Sequence, residues 1–231
     1  MIDLYFWPTP NGQKIRIFME ESGIPYRAHK VDIGKGEQFK PEFLAISPNN
    51  RIPAIVDQEP AGGGGPLSVF ESGAVLWYLG EKTGKFLPKD LRGRMDVMQW
   101  LFWQNAGLGP MAGQKGHFSY YAPDDLPYAI DRYTKEVGRL FGVLNKRLAD
   151  REFVATHYSI ADMSCYTWVV PWKGLGQDMG DFPHLKRWFD SIQARPAVQR
   201  AYEGVPEPYT QKRKFTDEER KTLFGQTHKD R

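Results

Sequence analysis

What the chain lacks narrows its chemistry first. There is one cysteine, Cys165, in 231 residues, so no internal disulfide, CxxC redox pair or cysteine-based zinc cluster can form. Five histidines, His29, His117, His157, His184 and His228, are scattered without the spacing of a metal site, and no metal is expected. A formal net charge of +3 is too small to imply a nucleic-acid partner, and no basic run is interleaved with aromatics. No apolar stretch reaches the roughly 18 residues of a membrane span. Met1-Ile2-Asp3-Leu4 carries an acid where a signal peptide needs lysine or arginine. These absences predict a cytoplasmic protein with neither a membrane nor a nucleic-acid partner. Any thiol chemistry must use Cys165 alone or a thiol brought in from outside.

What is present has a clear order. Ile2, Leu4 and Phe6 alternate with Asp3, Tyr5 and Trp7, the period of a strand. Pro8-Thr9-Pro10-Asn11-Gly12 ends it, and from Gln13 a helical period carries Ile15, Phe18 and Met19 to a stop at Gly23. Asn11 reads as the N-cap of that helix. A second strand is predicted over residues 27–33 and a short irregular or helical passage from Lys35. Then comes Ser47-Pro48-Asn49-Asn50-Arg51-Ile52-Pro53-Ala54-Ile55-Val56-Asp57. Proline has no N–H to give a central strand, so Pro53 marks a strand start beside a loop, with an extended Ile52 before it. That leaves the Ile52 N–H and C=O free to pair with an extended peptide, and a cis Ile52-Pro53 bond would present both at the end of a sheet. The four glycines Gly62 to Gly65 make a flexible hairpin connection to a fourth strand at Leu67 to Phe70, and Glu71-Ser72-Gly73 opens a helix that stops near Gly84.

From about Lys89 only helical patterns follow. Gly109-Pro110 should kink or break one helix, Ile130 to Leu148 form a long apolar stripe, and Ser159-Ile160-Ala161-Asp162 is a capping box that starts the helix holding Cys165. The last clear helix runs around Leu185 to Ile192, ending before Arg195-Pro196. From Pro206 the tail is rich in charge; Thr216 to Glu219 caps a brief helix stopped by Gly225 that has too little to bury to fold alone. The predicted domains are residues 1–84, a mixed four-stranded sheet with helices on its faces, residues 89–204, all helical, and the charged tail 205–231.

This arrangement, an Ile-Pro strand start and a Glu-Ser helix start followed by an all-helical part with a Ser-x-x-Asp box, resembles the glutathione transferases over nearly the whole chain before the tail. Pro8-Thr9-Pro10-Asn11-Gly12, Gly34-Lys35-Gly36, the stretch Ser47 to Asp57, Phe70-Glu71-Ser72-Gly73-Ala74 and Gln99-Trp100-Leu101-Phe102-Trp103-Gln104 are similar to the bacterial Nu class. The resemblance implies a thioredoxin-like sheet domain, a helical bundle, a homodimer, and glutathione lying extended against a cis-proline turn at Ile52 and Pro53. By the same resemblance Ile52 pairs with the cysteinyl backbone. Ser72 and the start of its helix receive the γ-glutamyl carboxylate, and Glu71 receives the γ-glutamyl ammonium. Gln38 completes the tripeptide site, and Gln99 and Arg132 reach it from the helical part, either within one chain or across a dimer interface. Read one at a time, Ser72 is equally a plain N-cap, Glu71 a loop acid and Arg132 a solvated charge.

Thioredoxins and glutaredoxins carry a cysteine after the first strand, where Thr9 and Asn11 stand here, and neither of these can attack a disulfide. The resemblance implies that Thr9, Asn11 and the positive end of the first helix hold a glutathione thiol as thiolate. It also implies that two bound glutathiones reduce a small disulfide, leaving oxidised glutathione. Conjugation of glutathione to a small electrophile is the alternative activity, and a non-catalytic binding module is the third reading. Tyr5 is a rival thiol activator, but inside a strand it is expected to pack or face solvent. Cys165, one turn into a capped helix among aromatics, reads as buried and inert. Trp7, Phe118, Tyr120 and Tyr121 line a second-substrate pocket, or serve as core or dimer contacts.

Overall fold

A computed structural model describes residues 1–212 and 214–228 of the chain. The strand β1 (Ile2–Phe6) forms on the alternation seen in the sequence: Ile2, Leu4 and Phe6 are buried toward one face, and Tyr5 stacks on His29 on the other, with ring centroids 4.7 Å apart. β2 (Tyr26–Lys30) pairs with it in parallel. β3 (Ala54–Asp57) pairs with β1 antiparallel, and β4 (Leu67–Phe70) with β3, giving the order β2-β1-β3-β4. The parallel step is made through the helix α1 (Pro10–Ser22), and the helix α3 (Ser72–Thr83) follows β4. Each ends on a left-handed glycine, Gly23 at φ 69° and Gly84 at φ 64°, whose N–H returns to a carbonyl of the last turn. Phe18 of α1 and Leu76 and Leu79 of α3 close the sheet face carrying Ile2, Leu4, Phe6 and Ile55. The opposite face is covered by residues 31–46, with 3-10 turns at Ile33–Lys35 and Glu37–Phe39 and the short helix α2 (Pro41–Leu44), which bring Val31 and Phe43 onto Ala54 and Tyr5.

The remaining helices are α4 (Leu91–Trp103), α5 (Gly109–Gly116), α6 (Pro127–Arg147), α7 (Ile160–Val169), α8 (Pro183–Gln193), α9 (Pro196–Tyr202) and α10 (Asp217–Phe224). The apolar stripe of α6 buries Val137, Leu140, Phe141 and Leu144. α7 is buried along its whole length, the central helix of this part, and it begins on the expected capping box. The fold class read from the sequence, a mixed four-stranded sheet followed by a helical bundle, is the one observed.

Three local readings are corrected and one helix is added. Thr9, not Asn11, is the N-cap of α1, because Pro10, lacking an N–H, takes the first helical position and pulls the start of the helix back by two residues. β2 stops at Lys30, since the Asp32 carboxylate accepts the Gly34 N–H and turns the chain into a 3-10 turn. Gly109-Pro110 does not break its helix. The residues Gln104–Leu108 form a π turn in which the Gly109 N–H reaches the Gln104 carbonyl, five residues back, and the proline is absorbed into the first turn of α5. Pro196 likewise opens α9, which was not foreseen.

The tail lies over both halves of the molecule. α10 has the Thr216/Glu219 capping box and ends at Gly225. Its Phe224 packs edge-on against His117, with centroids 4.9 Å apart, and face-on against Tyr121. Arg220 donates to the Tyr121 carbonyl at 3.1 Å, while Arg51 beside the Ile52 turn donates to Gln226 at 3.2 Å. Among the described residues no helix is long and apolar enough to cross a membrane.

Candidate active site

Strand register assembles the site. Tyr5 of β1 pairs with Ala54 of β3, and Ala54 pairs with Phe70 of β4. Three segments therefore leave the same end of the sheet: the loop from Trp7 into α1, the turn into Pro53, and Glu71 with Ser72. Val31, whose N–H bonds the Phe6 carbonyl, starts the segment bearing Gln38 from that end as well. Thr9, Asn11, Gln38, Ile52, Pro53, Glu71 and Ser72 thus share one rim.

At the first segment α1 begins directly beneath the loop. A Cβ on Gly12 would lie 2.1 Å from the Trp7 carbonyl oxygen, so only glycine permits the approach. The Thr9 hydroxyl accepts the Gly12 N–H at 3.4 Å, which leaves its own proton to donate. Asn11 Oδ1 accepts the indole N–H of Trp168 at 3.0 Å. An indole nitrogen can only donate, so this contact fixes the amide with Nδ2 as its outward donor.

At the second segment the Ile52-Pro53 peptide is cis. The turn before it is held by the Ser47 hydroxyl on the Arg51 carbonyl at 2.8 Å and by buried Asn50 at φ 49°. Among the described residues the Ile52 backbone N–H and C=O have no partner. Gln38 is buried; its Nε2 donates to the Ile33 carbonyl at 3.2 Å and its Oε1 has no partner among the described residues.

At the third segment Glu71 stands at φ 70°, ψ 118°, a conformation costing a non-glycine residue about 1–3 kcal/mol. It turns the chain sharply into α3, with Ser72 as first residue and the first N–H groups of the helix lacking intrahelical acceptors. Beneath Ser72 lies Lys14, 1% exposed. Its Nζ donates to Ser72 Oγ at 3.1 Å and to Gln104 Oε1 at 2.6 Å, with Asn105 Oδ1 at 3.5 Å. Ser164 of α7 also donates to Gln104 Oε1, at 2.5 Å. Gly73 makes room for this cluster, since a Cβ there would meet Asn105 Nδ2 at 2.6 Å. Burial, opposed by the negative charge of Glu71 and by any charge on Cys165, brings the Lys14 pKa down to about 7.

Gln99 on α4 and Arg132 on α6 are exposed. Cys165 is fully buried, and burial pushes its thiol well above the ordinary range. Tyr5 packs against His29 and Phe43. Phe118 stacks on Tyr133, and Tyr120 on Tyr209 of the tail. No group of three or more His, Cys, Asp or Glu suited to a metal ion occurs among the described residues.

Sequence reasoning missed Lys14, Gln104, Asn105, Ser164 and Trp168. The helical period gave no hint of a buried lysine, and the π turn that aims Gln104 and Asn105 inward has no sequence signature of its own. Trp168 lies 157 residues from the asparagine it orients.

The comparisons with known proteins agree with this geometry. Residues 9–82 match the model of the glutathione S-transferase N-terminal domain, and residues 127–191 that of the C-terminal domain. The chain belongs to the glutathione S-transferase family. It is 56% identical over 202 residues to the disulfide-bond oxidoreductase YfcG of Escherichia coli K12, covering 87% of this chain and 94% of that protein. To the disulfide-bond oxidoreductase YghU of the same organism it is 42% identical, covering 86% and 73%. Among solved structures, a Pseudomonas putida glutathione transferase with one glutathione disulfide bound per subunit superposes with a TM-score of 0.83 at 41% identity, covering 89% of this chain and 92% of that one. A Pseudomonas fluorescens family member with two glutathiones bound gives 0.82 at 42%, covering 89% and 93%.

Proposed function

We propose that the protein is a glutathione-dependent disulfide-bond reductase of the Nu class, in which glutathione supplies every reacting sulfur. One observation carries this reading: the chain's single thiol is sealed in the core, while Thr9 and Asn11 hold, at the start of α1, hydrogen-bond donors with no partner among the described residues. The names of its relatives, disulfide-bond oxidoreductases and transferases with glutathione or its disulfide bound, point the same way.

In this reading Thr9 Oγ1–H, Asn11 Nδ2–H and the positive end of α1 stabilise a glutathione thiolate, lowering a thiol pKa that is ordinarily about 8.5. The thiolate attacks one sulfur of a small disulfide, forming a mixed disulfide and releasing a thiolate that takes a proton from solvent. A second glutathione thiolate attacks the glutathionyl sulfur, releasing the other substrate thiolate and leaving oxidised glutathione. Two thiols lose two electrons, and one disulfide gains them. Ile52 pairs with the cysteinyl backbone of the tripeptide, with Pro53 beneath it. Glu71 takes the γ-glutamyl ammonium, Ser72 with the start of α3 takes the carboxylate, and Gln38 Oε1 accepts a donor from the tripeptide that satisfies its buried oxygen.

The protein is further read as a cytoplasmic homodimer, with its divisions at residues 84–89 and 204–205. Phe70, Leu91, Met95 and Phe102 leave an exposed apolar face on β4 and α4, beside a cleft of about 560 Å³ lined by Trp77, Met98 and Leu101. A second copy on that face would cover it and bring Gln99 of α4 toward a neighbouring site, with Arg132 reaching in from α6. Phe102→Asp should turn the dimer into a monomer by sedimentation. The cytoplasm, where glutathione is kept reduced, is the fitting compartment.

The test is turnover of hydroxyethyl disulfide with glutathione, run beside conjugation of a chloronitrobenzene. Faster disulfide turnover with full retention in Cys165→Ala supports the reading. Activity lost with Cys165, or conjugation alone, overturns it.

A further inference from the structure

The buried ammonium of Lys14 has neutral partners only. Ser72 Oγ, Gln104 Oε1 and Asn105 Oδ1 carry partial charge, and among the described residues no carboxylate lies within ion-pair distance of Nζ. Buried charges are ordinarily paired, so a cluster that encloses a cation and leaves out its counter-charge is incomplete. Its open side is Ser72. By accepting from the ammonium, the Ser72 oxygen commits a lone pair and leaves its own proton free, and the one acceptor nearby is Asn105 Oδ1, at a long 3.4 Å. The hydroxyl is therefore a poorly used donor at the first residue of α3, beside backbone N–H groups that also seek an acceptor.

We propose that Lys14 is the positioning residue and buried counter-charge for the γ-glutamyl α-carboxylate of glutathione, acting through the Ser72 hydroxyl that it orients. The inference rests on the glutathione reading above and names what that reading leaves unassigned, the source of the positive charge for this carboxylate. The Ser72 proton turns from Asn105 to the arriving carboxylate, while the ammonium supplies the opposite charge one hydroxyl behind. No covalent bond changes.

A consequence follows for protons. Lys14 is about half ionised near pH 7 in the free protein, and an anion at Ser72 favours the charged form, so binding should draw a proton from solvent. The groups facing Lys14 are few. Glu71 is the acid at the start of α3, Cys165 of α7 is kept a neutral thiol by burial, and the junction of α4 and α5 contributes only the amides of Gln104 and Asn105. α9 meets α1 through Gln13, Arg16 and Glu20, where Arg200 pairs with Glu20.

Titration calorimetry with S-methylglutathione, whose sulfur cannot ionise, in buffers of different ionisation enthalpy at pH 7.5 tests this. The wild type should take up most of a proton per ligand bound, about 0.8 if Lys14 is fully charged in the complex, the share of Lys14 neutral before binding. γ-Aminobutyryl-S-methylcysteinylglycine, which lacks only the α-carboxylate, should bind with no uptake. Lys14→Met should abolish the uptake and weaken S-methylglutathione roughly thirtyfold or more, while changing the affinity of the decarboxylated analogue less than about twofold. Wild-type binding without uptake, equal uptake with both ligands, or equal losses for both in Lys14→Met would overturn the inference alone. Failure of the wild type to bind either ligand would overturn the glutathione reading and this inference with it. The two wild-type titrations decide the matter even if the variant does not fold.

Discussion

Asp162 and Lys14 are both fully buried, and the contrast between them separates structure from function. Asp162, inside the helical part, accepts the N–H of Val154 at 2.8 Å, the N–H of Ser159 at 3.0 Å, the Ser159 hydroxyl at 3.2 Å and the indole N–H of Trp188 at 2.9 Å. Every donor comes from the surrounding scaffold, and nothing is left for a ligand. Lys14 is as deeply buried, yet its three acceptors are neutral and one of them, Ser72, stands on the rim of the candidate site. Asp162 is a closed network that ties the start of α7 to α8. Lys14 is an open one, completed from outside.

Substitutions should break the two clusters in opposite ways. Asp162→Ala orphans three buried donors besides the serine hydroxyl, and should cost about 5 kcal/mol in urea unfolding, with the affinity of the remaining folded protein for glutathione unchanged. Lys14→Met should do the reverse, losing ligand affinity while keeping the fold. Its effect on stability shows in the pH dependence. The Lys14 pKa is depressed from 10.5 to about 7 in the folded protein. Its stabilising share is therefore full above pH 10.5, declines as pH falls, and is gone below about 7. Wild type minus Lys14→Met should change by roughly 5 kcal/mol across that window, and a flat difference would show that the lysine is not held in a low-dielectric site. Asp162 titrates in the opposite sense. Burial, only partly offset by its four hydrogen bonds, raises its pKa from 3.8 to about 6, so its contribution is full below 3.8 and lost as pH rises through 6. Wild type should lose roughly 3 kcal/mol relative to Asp162→Asn over that interval. The smallest effect belongs to Trp168→Phe, which removes the indole N–H from Asn11 and frees the amide to turn. It should lower disulfide turnover about tenfold, as loss of one oriented hydrogen bond worth about 1.4 kcal/mol would, and shift the pH-rate profile upward. An unchanged profile would show that Asn11 does not act on the thiolate.

Much of the fold was legible because the signals were local. The alternation of Ile2, Leu4 and Phe6, the glycine stops at Gly23 and Gly84, the stripe of α6 and the box at Ser159 to Asp162 each act within a few residues. The rim residues were named by resemblance, and the strand register gathers those from Thr9 to Ser72, whereas Gln99 and Arg132 lie on helices that no strand register positions. The floor of the site could not be read. Lys14 sits in a stretch, Gln13-Lys14-Ile15-Arg16, where a lysine ordinarily reaches solvent, and it is buried only because α4, the π turn and α7 close over it. The break read as one of two outcomes at Gly109-Pro110 is absent for the same reason, since a backbone that widens to fit its tertiary neighbours obeys no local rule.

The bond from Lys14 to Gln104 also bears on how such a molecule can be recombined. The amide that anchors this cation is contributed by a segment 90 residues further along the chain. A helical half grafted from a distant homologue would need a suitable acceptor at that position, or the sheet half would inherit a charge with no host. Swaps between the two halves should succeed only where both sides of this single contact travel together.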